Sequence, residues 1–63
     1  MGYKNRQIIK TYLSHFDQDV ILIAIENSDH VFVVHTLGER PVSFQTMSEA
    51  VFFAEEKLQI FYK

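Results

Sequence analysis

Two runs of apolar, largely β-branched residues lie a few positions apart in the middle of this chain. They cover residues 20–25 and 30–36, and the polar residues 27–29 separate them. Runs this short, bounded by turn formers, are typical of strands rather than helices, and short polar side chains favour a turn between them. The sequence therefore predicts an antiparallel hairpin, against which the rest of the chain must pack.

The pairing within this hairpin decides which residues share a face. A two-residue loop at 28–29 and a four-residue loop at 27–30 predict the same pairs: Ile25 opposite Phe32, Ile23 opposite Val34, and Ile21 opposite Thr36. Paired residues project to one side of a sheet, so this face is apolar and is expected to lie beneath helices. The other face is mixed and is expected to contact solvent or another molecule; it carries Leu22, Ala24, Glu26, Val31, Val33 and His35. A loop of three or five residues would reverse these assignments.

A short third strand is predicted at residues 42–44. Gly38-Glu39 suits a tight hairpin connection, and Pro41 lacks an N–H, which restricts this strand to an edge. A two-residue turn would place Val42 and Phe44 on the mixed face, whereas a three-residue turn would place them on the core face. We favour the core face, because exposing Phe44 is costly.

Helices are predicted at both ends of the chain. Apolar residues recur at three- and four-residue steps through residues 4–16, at Ile9, Tyr12, Leu13 and Phe16, which predicts a first helix. Thr46 and Glu49 form a capping box, in which the Thr46 hydroxyl accepts the N–H of Glu49 and the carboxylate reaches back to the N–H of Thr46. The last helix is therefore expected to run from Met47 to about Phe61.

The last helix has more apolar residues than one face can bury. Its core stripe is Met47, Ala50, Val51, Ala54, Leu58 and Phe61, in which the two alanines allow a close approach to the sheet. Phe52, Phe53 and Ile60 fall outside this stripe. Either the first helix packs across Phe53 and Ile60 and completes a larger core, or these side chains remain exposed.

The predicted fold is α+β, in the order α-β-β-(β)-α, with a small antiparallel sheet covered on one face by two helices and a single domain over residues 1–63. The chain has no cysteine and 48% hydrophobic residues. Domains this small bury a smaller fraction of their surface on folding than larger domains do. They usually need a further source of stability, such as disulfides. Without disulfides, the remaining routes to stability are an efficient core or self-association. Surplus apolar surface of this kind predicts an exposed patch, which marks a binding surface.

These features predict a small, non-enzymatic protein-interaction module that forms a dimer. The expected role is regulation or inhibition of a larger protein, as in phage- or antitoxin-like accessory proteins, and the expected location is the cytoplasm. The predicted interface residues are Phe52, Phe53, Ile60, Val33 and His35. No cofactor is expected, because the sequence has no Gly-rich loop to hold a phosphate. No membrane span is expected, because the longest apolar run has only six residues.

Two other functions are considered. The first helix could bind nucleic acid weakly through Lys4, Arg6 and Lys10, with Tyr3 and Tyr12 stacking on bases. A net charge of −2 gives no general basic footprint, so nucleic acid is not the expected partner. The second alternative is an enzyme or ligand site at a dimer interface, using Glu26 and His35 from one sheet face.

Other residue groupings are explained by local structure. His15, His30 and His35 lack the spacing of a metal site, and side chains of the adjacent residues Ser28-Asp29-His30 diverge on a turn instead of aligning as a catalytic triad. Asp17 and Asp19 are spaced as in a calcium loop but lack its glycine and distal glutamate. No metal site is predicted.

The predicted element order and the Thr46-x-x-Glu49-Ala50 opening of the last helix resemble double-stranded-RNA-binding domains. They also resemble small antitoxin-like domains built on part of that fold. The former hold phosphates with lysines at the start of this helix, whereas residues 46–53 contain Glu49 and no Lys or Arg. No functional residue is therefore carried over from the resemblance, and it implies at most a protein-binding role.

Overall fold

The computed structural model describes residues 6–62. Four strands and a helix follow one another along the chain: β1 (Arg6–Leu13), β2 (Ile21–Ser28), β3 (Val31–Thr36), β4 (Val42–Phe44) and α1 (Met47–Phe61). The strands form one antiparallel sheet in the order β1-β2-β3-β4, so that each strand pairs with the next along the chain. The α+β class and the small antiparallel sheet are confirmed.

The prediction of a first helix over residues 4–16 is wrong. Residues 6–13 form β1, and the described part of the chain contains one helix where two were expected to cover the sheet. The β-branched and aromatic residues Ile8, Ile9, Thr11 and Tyr12 favour a strand. The register shifts between Ile8 and Lys10, and the extra residue there interrupts the two-residue alternation of the strand. The remaining apolar positions then imitate the spacing of a helix.

This correction also removes the resemblance in element order. Double-stranded-RNA-binding domains begin with a helix, whereas the described elements here begin with β1 and run β-β-β-β-α. The helix opening at Thr46 remains as predicted, but it is a general capping arrangement. No argument below rests on that family.

The central hairpin turns at Asp29-His30, one position later than predicted. Both residues have positive φ, 53° and 71°, as a type I′ turn requires. The predicted pairs are therefore wrong by two residues: the observed ones are Ile25 with Val34, Ile23 with Thr36, and Asn27 with Phe32. A shift of two preserves the alternation of faces, so the division into two faces is retained.

Five residues separate β3 from β4, and the register of the two strands corresponds to a three-residue turn at residues 37–39. The N–H of Glu39 donates to the carbonyl of Thr36 at 2.9 Å, and Gly38 adopts a φ of 82° that glycine accommodates without strain. Phe44 consequently lies opposite Phe32 and Val42 opposite Val34. Both β4 residues therefore lie on the core face, as expected.

The core lies between α1 and one face of the sheet. Its fully buried residues are Ile23, Ile25, Val34, Ala50 and Ala54. Complete burial of both alanines agrees with the predicted close approach of helix and sheet. The helix begins and ends at the predicted residues, and the Thr46 hydroxyl accepts the N–H of Glu49 at 3.2 Å.

The second half of the predicted capping box differs. The Thr46 hydroxyl donates to the Glu49 carboxylate at 3.1 Å, where the backbone N–H of Thr46 was expected to be the donor. No helix within residues 6–62 has both the length and the apolar character needed to cross a membrane.

Tyr62 ties the end of α1 to the connection between β1 and β2. Its hydroxyl donates to the carbonyl of Leu13 and accepts the N–H of His15, both at 3.1 Å. Its ring stacks on the His15 imidazole with 4.1 Å between centroids. These contacts span most of the chain and fix the end of the helix against the sheet.

The Tyr62→Phe variant isolates the hydroxyl, because phenylalanine keeps the stacked ring. We expect the free energy of unfolding to fall by about 0.5–1.5 kcal/mol, the net value of such hydrogen bonds. Urea unfolding followed by circular dichroism measures the loss, and amide exchange at His15 should become faster. An unchanged unfolding midpoint would show that these hydrogen bonds add nothing to stability.

Candidate protein-interaction face

The sheet face opposite α1 bears no helix in the described part of the chain. We call it the open face and define it by ten residues linked through cross-strand pairs: Arg6, Ile8, Thr11, Ala24, Glu26, Ser28, Val31, Val33, His35 and Ser43. Paired residues share a side of the sheet, so these side chains form one continuous surface. Four of them are apolar, three are hydroxyl-bearing and three are ionisable.

The ionisable residues of the open face form a single cluster centred on Glu26. The Nε of Arg6 donates to Oε2 of Glu26 at 2.8 Å, and Nε2 of His35 lies 2.9 Å from Oε1. Each carboxylate oxygen thus has its own partner, from β1 on one side and from β3 on the other. The strand pairing Ile8–Glu26–Val33 brings the three ionisable side chains together across the sheet.

Glu26 is shielded even though the open face carries no helix. It is only 7% exposed, whereas the side chains of Arg6 and His35 are 50% and 41% exposed. The Arg6 hydrogen bond, followed by that of His35, lowers the pKa of Glu26, although burial opposes this by disfavouring the charged form. The carboxylate is therefore held ionised beneath two exposed nitrogen-bearing groups.

Comparison with protein-family models, with curated proteins and with solved structures finds no match to this chain.

Two of the five predicted interface residues, Val33 and His35, lie on the open face. Val33 is half-buried in the middle of the sheet, between Glu26 on β2 and Ser43 on β4. His35 contacts Glu26 directly, so the predicted juxtaposition of these two residues on one face is observed.

The other three predicted interface residues lie on α1, and they differ in exposure. Phe52 and Ile60 are 68% and 63% exposed. Phe53 instead packs against the core, with its ring 5.2 Å from that of Phe44. The aromatic residue that covers Phe53 comes from β4, a solution that the sequence analysis did not consider. Phe52 and Ile60 remain as exposed apolar side chains.

The basic residues proposed for nucleic-acid binding do not form one track. Arg6 lies on the open face and is engaged by Glu26, whereas Lys10 lies opposite Ile25 on the helix-covered side, 5.1 Å from the centroid of the Tyr12 ring. Burial raises the pKa of Tyr12, with the nearby Glu55 carboxylate as a second cause. Lys4 and Tyr3 fall outside the described residues.

A polar recess of about 230 Å³ lies beside the hairpin turn, and the described residues that line it are Gln7, Asn27, Asp29 and His30. Gln7 and Asn27 are paired on the helix-covered side, so the recess is separate from the open face. It is smaller than typical ligand pockets. Among residues 6–62, no three metal-binding side chains converge.

The Arg6–Glu26 ion pair is a feature of the site that was not predicted from the sequence. It joins residues 20 positions apart and depends on β1 being a strand beside β2. The signal available in the sequence was the β-branched and aromatic content of residues 8–12. If residues 4–16 formed a helix, as predicted, Arg6 would not lie on the sheet face.

Proposed function

We propose that this chain is a protein-interaction module that self-associates through the open face and acts as a regulator or inhibitor of a larger protein. The observation that carries the proposal is that α1 covers only one face of the sheet. The opposite face combines apolar side chains with a charge cluster that is internally paired. Because its charged groups are already paired, little free energy is lost when such a surface is removed from water. A low cost of desolvation is what a binding surface requires.

The apolar residues of the open face favour burial. Ile8 is 53% exposed, while Ala24, Val31 and Val33 on the same face are partly exposed. Burying this surface against a partner stabilises the complex by about 25 cal/mol for each Å² of apolar area removed from water.

Charge favours the open face over the outer surface of α1 for self-association. A two-fold dimer brings the same patch of both copies together, so any net charge on the patch repels its counterpart. On the open face the charges of Arg6 and Glu26 cancel within one ion pair. The outer surface of α1 instead carries the exposed carboxylates Glu49, Glu55 and Glu56.

The size of the face suits a modest dimer. The four strands contain 8, 8, 6 and 3 residues. At about 3.4 Å per residue and about 4.8 Å between strands, they give an outline of roughly 400 Å². Two such faces bury on the order of 800 Å², which lies below the roughly 1,000 Å² of a stable specific interface and suits a weak, transient one. Sheets packed in this way lie about 10 Å apart with strands roughly aligned. We therefore expect a dimer that forms at high concentration and dissociates on dilution.

The test compares lysine substitutions on the two surfaces. Val33→Lys and Ile8→Lys place like charges within the proposed interface, whereas the control Phe52→Lys changes the exposed surface of α1. We expect the open-face variants to raise the dimer dissociation constant about a hundredfold or more, because facing like charges cost several kcal/mol. Phe52→Lys should leave it within a few-fold of the wild-type value.

Sedimentation equilibrium at pH 7.5, up to millimolar subunit concentration, measures these constants, and circular dichroism verifies folding. Ile8→Lys guards against a folding defect in Val33→Lys, since Ile8 is already half exposed. A wild-type protein that stays monomeric throughout would refute self-association. Dimers unaffected by both open-face variants would refute the assignment of the surface.

A further inference from the structure

The outer edge of β1 is a long stretch of strand backbone that no other strand pairs with among residues 6–62. β1 has eight residues and pairs with β2 on one side only. The opposite edge of the sheet, β4, has three residues and follows Pro41, and both features protect an edge from pairing. The outer edge of β1 presents backbone N–H and C=O groups, to which an extended strand can add. The chemistry of this edge therefore specifies a β-strand as its partner.

The side chains of β1 also lie largely outside the core. α1 packs mainly against β2, β3 and β4, and Tyr12 is the half-buried residue of an otherwise exposed strand. Ile8, Ile9 and Leu13 are 53%, 39% and 43% exposed. A strand added at this edge covers part of this apolar surface together with the backbone groups, and both contributions favour pairing.

One symmetric register matches the faces of two β1 strands. In a two-fold antiparallel pair with Ile8 opposite Thr11 of the second copy, both residues belong to the open face. Gln7 then lies opposite Tyr12, and both are on the helix-covered side. Paired residues must share a side of the sheet, whereas a shift by one residue would place Ile8 opposite Lys10 or Tyr12, on the other side. The bulge between Ile8 and Lys10 thus selects this register.

The charges of β1 are compatible with this register. Arg6 is held in an ion pair on the open face, and the Lys10 ammonium lies 5.1 Å from the centroid of the Tyr12 ring on its own strand. In the register above, Arg6 lies opposite Leu13 of the second copy, and Lys10 lies opposite Ile9. No like charges are therefore paired directly, an arrangement that would destabilise the contact.

We infer that β1 pairs antiparallel with β1 of a second copy in this register and joins two four-stranded sheets into one continuous sheet. Two-fold symmetry makes the edge its own complement, because the pair of Ile8 with Thr11 occurs twice. This contact extends the sheet in its own plane, whereas the proposed open-face contact stacks one sheet on another. The inference therefore goes beyond the proposed function and does not require it.

Disulfide cross-linking tests the register, because the chain contains no cysteine. Chains carrying Ile8→Cys and chains carrying Thr11→Cys are mixed in equal amounts, oxidised with glutathione disulfide and separated on a non-reducing gel. Directly opposite residues have Cβ atoms about 4.5–5.5 Å apart, which is close to the range of a disulfide. Both positions are exposed, and circular dichroism verifies that each variant is folded.

Each variant alone is the matched control. Its two cysteines would lie about 10 Å apart along the paired strands, which is too far for a disulfide. We expect roughly tenfold more linked dimer in the mixture than in either variant alone. Equal amounts of linked dimer in the mixture and in the single variants would overturn the edge contact.

A second substitution separates the edge contact from the open-face contact, since Ile8 and Thr11 also belong to the open face. The excess of linked dimer should persist when both chains also carry Val33→Lys, because Val33 lies on β3, away from the edge. An excess that disappears in these chains would mean that the open face brings the cysteines together, which also overturns the inference. If the excess persists while Val33→Lys leaves the association measured by sedimentation unchanged, the edge contact is supported and the open-face contact is refuted.

Discussion

Replacing Ile25 by alanine is expected to remove most of the stability of this protein. Ile25 is completely buried beneath α1 and lies opposite the equally buried Val34. Removing such a side chain costs about 2–5 kcal/mol, since apolar contacts are lost and a cavity remains. A domain of this length, without disulfides, has only a few kcal/mol of stability to lose. The substitution therefore removes a large part of it.

The matched control is Ile21→Ala on the same strand. The residue type and the substitution are identical, but Ile21 is 50% exposed, so the expected loss is below about 1 kcal/mol. Urea unfolding followed by circular dichroism, at a concentration low enough to keep the protein monomeric, compares the two variants. Equal losses would contradict the location of the core between α1 and the helix-facing side of β2.

The hairpin shows what alternation in a sequence can establish. The expected turn was displaced by one residue, because Asp29-His30 was not recognised as a pair able to adopt positive φ. The resulting register error is two residues, and side chains alternate with a period of two. The faces therefore remained correct although every predicted pair was wrong. Ile23, Ile25 and Val34 form the core in either register.

The first segment shows the opposite case. A single extra residue between Ile8 and Lys10 changes which positions share a face, and no local signal in the sequence marks such a bulge. The apolar spacing then fits a helix better than a strand. The C-terminal helix could be predicted closely because its start is encoded locally, by Thr46 and the N–H of Glu49 three residues later.

The candidate site was predictable only where it depends on neighbouring strands of one hairpin. Glu26 and His35 were placed on one face from alternation alone, and they are in contact. Arg6 reaches the site only because residues 6–13 form a strand beside β2. The open face is uncovered because residues 6–62 contain no second helix that packs on it. Both required the tertiary structure.

The Glu26→Gln variant is expected to lose about 1–3 kcal/mol of stability at pH 7. A carboxylate accepts on both oxygens, from Arg6 and from His35, whereas an amide offers one acceptor and presents an N–H to the other donor. The loss corresponds to a broken charge-assisted hydrogen bond at a shielded site. Glu56→Gln, at an exposed carboxylate on α1, should change the stability by less than about 0.5 kcal/mol.

The pH dependence provides the sharper test of the same substitution. Because the Arg6 hydrogen bond, then that of His35, holds the pKa of Glu26 below its ordinary 4.5, the unfolded chain binds the proton more readily than the folded one. The stabilisation is therefore complete above pH 4.5 and is lost as the pH falls through the lower folded-state value. The difference in unfolding free energy between wild type and Glu26→Gln should shrink over this acidic range, whereas that for Glu56→Gln should stay small throughout. A wild-type-to-variant difference that is constant from pH 6 to pH 3 would mean that Glu26 is not held ionised by Arg6 and His35.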